Sequence, residues 1–169
     1  RYSDACFWYK NLGNNQFEVI QFLDSIPLSI TVGNINNNGK PDLIAGVGGQ
    51  VDWYEFETSG QHILKQVLNP YRSGETSLGD LDADGDIDLF VGSVGTTSSH
   101  RARYFAFDAV SGQFDPVAKN HNFYILDHPY SEILDLNEDG NPDVLIGSGT
   151  GQFGWLKNLA PGSFSSVNN

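Results

Sequence analysis

Asn34-Ile-Asn36-Asn-Asn38-Gly39-Lys40-Pro-Asp42, Asp80-Leu-Asp82-Ala-Asp84-Gly85-Asp86-Ile-Asp88 and Asp135-Leu-Asn137-Glu-Asp139-Gly140-Asn141-Pro-Asp143 are one nine-residue pattern written three times. A carboxylate or amide oxygen falls at the first, third, fifth and ninth places each time, and glycine always stands sixth. That spacing suits a loop wrapped around a hard cation such as Ca2+, with oxygen ligands on both arms. The glycine permits the sharp turn that brings the arms to one ion. A helix-loop-helix calcium site also needs a glutamate at the twelfth place. Here that place is Ala45, Val91 or Ile146, inside apolar segments, so the pattern predicts a strand-loop-strand site instead. Asn, Asp and Gly also make turns without any ion. Three loops in register argue against that reading, least so for the asparagine-rich first loop.

Working outward, the loops begin at 34, 80 and 135, and an aromatic marker keeps step with them. Trp8-Tyr9-Lys10-Asn11, Trp53-Tyr54-Glu55-Phe56, Tyr104-Phe105-Ala106-Phe107 and Trp155-Leu156-Lys157-Asn158 recur at intervals of 45, 51 and 51 residues. Such a period marks a solenoid or a propeller. Leu28 to Val32 alternates apolar and polar residues ahead of the first loop, as an amphipathic strand does. After each loop comes an apolar run suited to a strand buried on both faces: Leu43 to Val47, Leu89 to Ser93 and Val144 to Ser148. The aromatic marker reads as a third strand. A fourth follows a Gly/Asn turn, at Phe17 to Phe22, His62 to Val67, Phe114 to Val117 and Phe164 to Val167.

Each unit is then a four-stranded antiparallel meander, the size of one propeller blade. The expected fold class is all-β, with three full blades at 28–69, 74–126 and 131–169 and the outer half of a preceding blade at 7–23. Residues 1–169 make one partial β-propeller on this reading. A half-blade leaves an open sheet edge, which proteins cover or pair, so upstream blades or other chains are expected to complete the ring.

The run Gly79-Asp80-Leu-Asp82-Ala-Asp84-Gly85-Asp86-Ile-Asp88-Leu89, with its apolar strand, aromatic marker and Gly/Asn turn, resembles the FG-GAP/VCBS repeats. Those repeats build β-propellers such as the integrin α head and many extracellular proteins. The resemblance covers nearly the whole chain. It implies an ion between the first two strands of a blade, held by side chains at the first, third, fifth and ninth places and by the carbonyl at the seventh. Carried over, the ligands are Asn34, Asn36, Asn38, Lys40 and Asp42; Asp80, Asp82, Asp84, Asp86 and Asp88; and Asp135, Asn137, Asp139, Asn141 and Asp143. Lys40, Asp86 and Asn141 would contribute carbonyls. The side-chain ligand places hold one, four and three carboxylates in the three loops. Calcium affinity follows ligand charge, so the expected occupancy runs second, third, first. Two Ca2+ ions are expected, and a third only if the Asn34–Asp42 loop binds despite Lys40.

Charge supports a cation. The net charge is -12, and the three loops hold ten of the 21 acidic residues. Nucleic acid is an unsuitable partner, since no basic patch meets phosphates. No apolar run reaches the roughly 18 residues of a membrane helix. The sequence starts at Arg1 and contains no methionine, which reads as a piece of a longer secreted, extracellular protein. Cys6 is the one cysteine. It is expected either as a quiet thiol or, in a secreted chain, as half of a bond to another chain.

Nothing reads as a nucleophile with its base, a zinc-protease motif or a phosphate-binding loop, so no enzyme is expected. The four histidines lack metal-ligand spacing. The aromatic marker is expected to pack between blades rather than to stack sugars, because columns shared by all repeats serve the shared core. The irregular loops carry the better functional signal. Tyr71, Arg72, His100, Arg101, Arg103, His128 and Tyr130 cluster in linking loops and an insertion after the second apolar run, and Arg and Tyr are enriched in binding hot spots. A protein or glycan partner is expected there. The expected role is an extracellular calcium-binding module for adhesion or assembly; the alternatives are a lectin-type propeller and an accessory domain of a larger secreted enzyme.

Overall fold

The computed structural model describes residues 5–58, 61–69, 74–92, 102–120, 130–147, 151 and 153–165. The alternating and apolar segments form antiparallel strands, and no helix occurs among the described residues. In chain order, β1 (Cys6–Gly13) and β2 (Gln16–Leu23) form a hairpin of their own. β3 (Ser29–Gly33), β4 (Asp42–Val47), β5 (Gln50–Phe56) and β6 (His62–Leu68) form the first full sheet, each strand paired to the next. The second sheet joins β7 (Thr76–Gly79), β8 (Asp88–Val91), β9 (Arg103–Phe105) and β12 (Lys119–Asn120), with β10 (Phe107–Asp108) and β11 (Gln113–Phe114) as an appended hairpin. The third joins β13 (Tyr130–Leu134), β14 (Asp143–Gly147) and β15 (Phe153–Leu156), followed by the β16 (Asn158–Ala160) and β17 (Ser163–Phe164) hairpin. The first two strands of each sheet flank the nine-residue loop, as the sequence predicts.

Two expected strands are corrected. Phe114 to Val117 is not one fourth strand: after Phe114 one more bond follows, from the Asp115 N–H to the Ala106 carbonyl at 2.7 Å, and strand pairing resumes only at Lys119. Asp115 and Pro116 cause the gap, because the Asp115 carboxylate accepts the Val117 N–H at 2.9 Å and proline offers no N–H to a ladder. The strand expected at Phe164 to Val167 is confined to Ser163–Phe164 among the described residues, and Val167 lies outside them. The third strand also breaks, at Ala106 and Lys157. One cause is common to both sheets. The ninth-place aspartate of the loop takes the next N–H, Phe107 at 2.9 Å and Asn158 at 2.8 Å, out of the main ladder.

The core lies between sheets. Ile44 and Trp53 of the first meet Leu89, Val91, Phe105, Phe107 and Phe114 of the second. Phe90 and Tyr104 of the second meet Val144, Ile146 and Leu156 of the third. A smaller cluster, Leu23 with Leu43 and Ala45, seats the β1–β2 hairpin on the first sheet. Trp53, 1% exposed, stands edge-on to Phe107 and Phe114 at 5.7 and 5.6 Å between ring centroids. The marker residue is therefore used for packing between sheets at this position. Burying a side chain of this size stabilises by about 2–3 kcal/mol.

Candidate metal centres

All three loops share a backbone. The sixth-place glycines Gly39, Gly85 and Gly140 have φ of 80°, 95° and 88°. The fourth-place residues Asn37, Ala83 and Glu138 are also left-handed, at 53°, 60° and 60°. Sequence reading missed this second turn point, because alanine and glutamate give no sign of a conformation that costs an ordinary residue about 1 kcal/mol. The first-place side chain closes the turn. Asp80 accepts the N–H groups of Asp84 and Gly85 at 3.2 and 3.1 Å; Asp135 accepts those of Asp139 and Gly140 at 3.1 and 2.8 Å. Asn34 accepts only the Gly39 N–H, at 3.2 Å.

The ninth-place aspartates are fully buried and tie the loop to the sheet. Asp88 accepts the Leu81 N–H at 2.8 Å and the Asp82 N–H at 3.3 Å with one oxygen, and the Phe107 N–H with the other. Asp42 binds the N–H groups of Ile35 and Phe56, and Asp143 those of Leu136 and Asn158. These residues are braces whether or not an ion is present. Burial pushes the Asp88 carboxyl up to about 7 and raises that of Asp42.

The second loop gathers charge. One carboxylate oxygen from each of Asp80, Asp82 and Asp88 lies within 4.8 Å of the others. The Tyr104 hydroxyl donates to Asp82 Oδ2 at 2.6 Å, and Lys119 Nζ stands 3.9 Å from the same oxygen. Asp82 Oδ1 is buried with no hydrogen-bond partner. An unpaired buried carboxylate oxygen is costly, and a cation within the cluster would satisfy it. Asp84 accepts the Asp86 N–H, which favours its ionised form, yet burial and the charges of Asp82, Asp86 and Asp80 raise its carboxyl overall. The cluster therefore resists holding all its charges unaided, and the residues fit Ca2+.

The other loops are built differently. In the first, the Asn36 and Asn38 amides donate to Glu55 Oε1 at 2.7 and 3.0 Å, and Glu55 pairs with Lys65 at 2.7 Å. In the third, Lys157 Nζ lies 3.4 Å from Asp139 Oδ2. Glu55 and Lys157 occupy the same column of the repeat, two residues after Trp53 and Trp155. They bring a negative charge to the poorest loop and a positive charge to a richer one. Sequence reasoning passed over both, although that shared column was the signal.

The structure places the expected partner surface only in part. Tyr71, Arg72, His100, Arg101 and His128 lie outside the described residues. Arg103 starts β9 opposite Val91, and Tyr130, 65% exposed, starts β13 opposite Gly147. Both lie at the sheet ends away from the nine-residue loops.

Residues 34–91, spanning the first two loops and the strand after each, match the family model of the FG-GAP-like repeat. That stretch carries the FG-GAP-like repeat. None of the curated proteins matches it in sequence. In structure, the chain is similar to an Agrocybe aegerita lectin described as specifically recognising non-reducing terminal N-acetylglucosamine. The TM-score is 0.65 at 16% identity, covering 98% of this chain and 47% of the lectin. The chain thus spans about half the length of that lectin. At this identity the likeness shows the fold, an all-β array of the β-propeller type. No helix among the described residues is long and apolar enough to cross a membrane.

Proposed function

We propose that this β-propeller-type interaction module is extracellular, non-catalytic and stabilised by Ca2+ in its FG-GAP-like loops, and that it serves adhesion or assembly. The observation that carries the calcium reading is the Asp80, Asp82 and Asp88 cluster with the partnerless buried oxygen of Asp82. Asp80, Asp82 and Asp84 with the Asp86 carbonyl would hold the ion, and Asp88 would brace or join them. The bound ion would neutralise the cluster and lock the loop between the first two strands of its sheet; no chemistry on a substrate is assigned to it. The third loop would follow in affinity, then the first, with Glu55 and Lys157 narrowing that gap. A Kd of roughly 10^-4 to 10^-3 M suits an extracellular module. Calcium titration by calorimetry tests this: the tightest event is expected to vanish in Asp84→Ala, and its survival would overturn the assignment.

A second reading, a glycan-binding propeller, is supported by the lectin-like fold. A glycan array that includes N-acetylglucosamine-terminated chains, run with and without chelator, separates the two. Calcium-dependent retention of a defined sugar favours the lectin reading, while protein-only capture favours adhesion or assembly. An accessory domain in a larger secreted enzyme is the remaining reading. Activity of a longer natural chain that persists after removal of residues 1–169 would favour it.

A further inference from the structure

The last column of the aromatic marker holds Asn11, Phe56, Phe107 and Asn158. An asparagine there reads as a turn-maker, and Asn11 is one: its amide oxygen accepts the Gly13 N–H at 2.8 Å. Asn158 does something else. It is 1% exposed, and its Nδ2 donates to carbonyls of two different loops, Leu81 in the second at 2.9 Å and Pro142 in the third at 3.1 Å. Its backbone N–H goes to Asp143 Oδ1 at 2.8 Å. Two carbonyl acceptors require the NH2 end of the amide, so the group cannot turn over. Its oxygen is left buried with no hydrogen-bond partner. Forfeiting that bond is costly, and what it secures is a bridge between two loops.

Both ends of the bridge land on peptide groups beside candidate ligands. Leu81 stands between Asp80 and Asp82. Its N–H is held by Asp88 at 2.8 Å, and its carbonyl also accepts the Gly162 N–H at 2.9 Å. Its side chain is fully buried with Val144, Ile146 and Leu156 of the third sheet. Pro142 stands between Asn141 and Asp143, and Asp143 in turn holds the Leu136 N–H at 3.1 Å. Moving either loop therefore strains the ligand places of the other through one buried amide. The preceding junction is built differently. Ile35 of the first loop, in the place of Leu81, shares an apolar cluster with Phe107, which has no amide to offer. There Gln66 exchanges hydrogen bonds of 2.8 and 2.9 Å with the Phe114 backbone, between outer strands instead.

We infer that Asn158 makes the second and third loops one cooperative unit, so that filling either with a divalent cation favours filling of the other. The inference rests on the calcium reading of the loops. Direct repulsion between two bound ions acts in the opposite sense, so mutual strengthening identifies the bridge rather than charge. Coupling of this kind is reciprocal: each loop changes the affinity of the other by the same factor.

Calcium titration followed at the Gly85 and Gly140 amide resonances reads the two loops separately. Asp84→Ala, which disables the second loop, is expected to weaken the third site about fivefold, and Asp139→Ala to weaken the second by the same factor. In an Asn158→Ala chain both factors are expected to fall to about one. Asn158→Ser, with a single short hydroxyl for two carbonyls, serves the same purpose should the alanine variant fail to fold. Undiminished factors in a folded Asn158 variant, or no mutual strengthening in the unsubstituted chain, would overturn the bridge. A second arm runs in chelator. There Asp80→Ala, which frees the Asp84 and Gly85 N–H groups, is expected to speed exchange of the Asp139 and Gly140 amides about threefold with Asn158 present and not without it. That result in a chain that binds no calcium would overturn the calcium reading and leave the coupling standing. With calcium silent, unaltered exchange would overturn the coupling as well.

Discussion

The first and second loops have the same length, the same two left-handed turn points and the same buried aspartate at the ninth place, yet their interiors are opposite. The second turns carboxylate oxygens inward until three of them crowd within 4.8 Å and one has no partner. The first turns amide N–H groups toward Glu55, which is itself neutralised by Lys65. One backbone therefore supports a loop with a partnerless buried carboxylate oxygen and a loop whose amides find their partner within the protein. The difference teaches that one turn can carry very different charge. The two left-handed places shape the turn, the first-place side chain closes it and the ninth-place aspartate ties it to the sheet in both loops, while the carboxylates at the first, third and fifth places belong to the second loop alone.

The largest expected effect tests what the loops share. Asp88→Ala and Asp42→Ala each strand buried N–H groups and are expected to cost about 3 kcal/mol or more in chelator, by urea denaturation. A loss at Asp88 only would break the view that both aspartates brace the fold without an ion. Next comes what they do not share. Asp80→Asn is expected to weaken the tightest calcium event by about tenfold, or 1.4 kcal/mol, while Asn34→Asp with Asn38→Asp is expected to strengthen the first loop's binding. Titration calorimetry reads both, and no change in the double variant would show that Glu55 and Lys65, not the asparagines, govern that loop.

A smaller shift is expected at the shared column. Lys157→Gln removes a charge 3.4 Å from Asp139 and is expected to tighten the third site by only about threefold, since exposed pairs are screened by solvent. The last prediction concerns pH. With Asp88 pushed up to about 7, the metal-free fold binds a proton more tightly than the unfolded chain, whose carboxyl titrates near 4. Stability in chelator is then expected to fall as pH rises from about 4 to about 7 and to level above that. Saturating calcium favours the ionised form and is expected to flatten the slope. A calcium-independent slope would place the ion away from Asp88.

Much of this was legible along the chain. The loop pattern, the apolar runs after it and the recurring aromatics are local signals, and they placed the strand after each loop, and the strand before the first loop, within a residue or two. The outer strands were less legible. Asp115 and Pro116 were visible, but their effect depended on the neighbouring strand they failed to pair with. Likewise the break at Ala106 comes from Asp88, 19 residues away along the chain from the N–H it takes. Arg103 and Tyr130 were chosen for their chemistry. Only the strand directions show that they sit at the sheet ends opposite the loops.

By itself the sequence determined that the chain is all-β, that its unit repeats about every fifty residues and that carboxylates concentrate in the second loop. Periodicity and ligand spacing are properties of neighbours in the chain. The tertiary structure alone decided which carboxylate braces and which lacks a partner, that Glu55 and Lys157 reach the loops, and that Gly33 and Gly79 lie hard against Leu78 and Ile133 of the next sheet. Those outcomes depend on distances across the gap between sheets, where one Cβ or one hydrogen bond settles the fit, and no spacing along the chain encodes them.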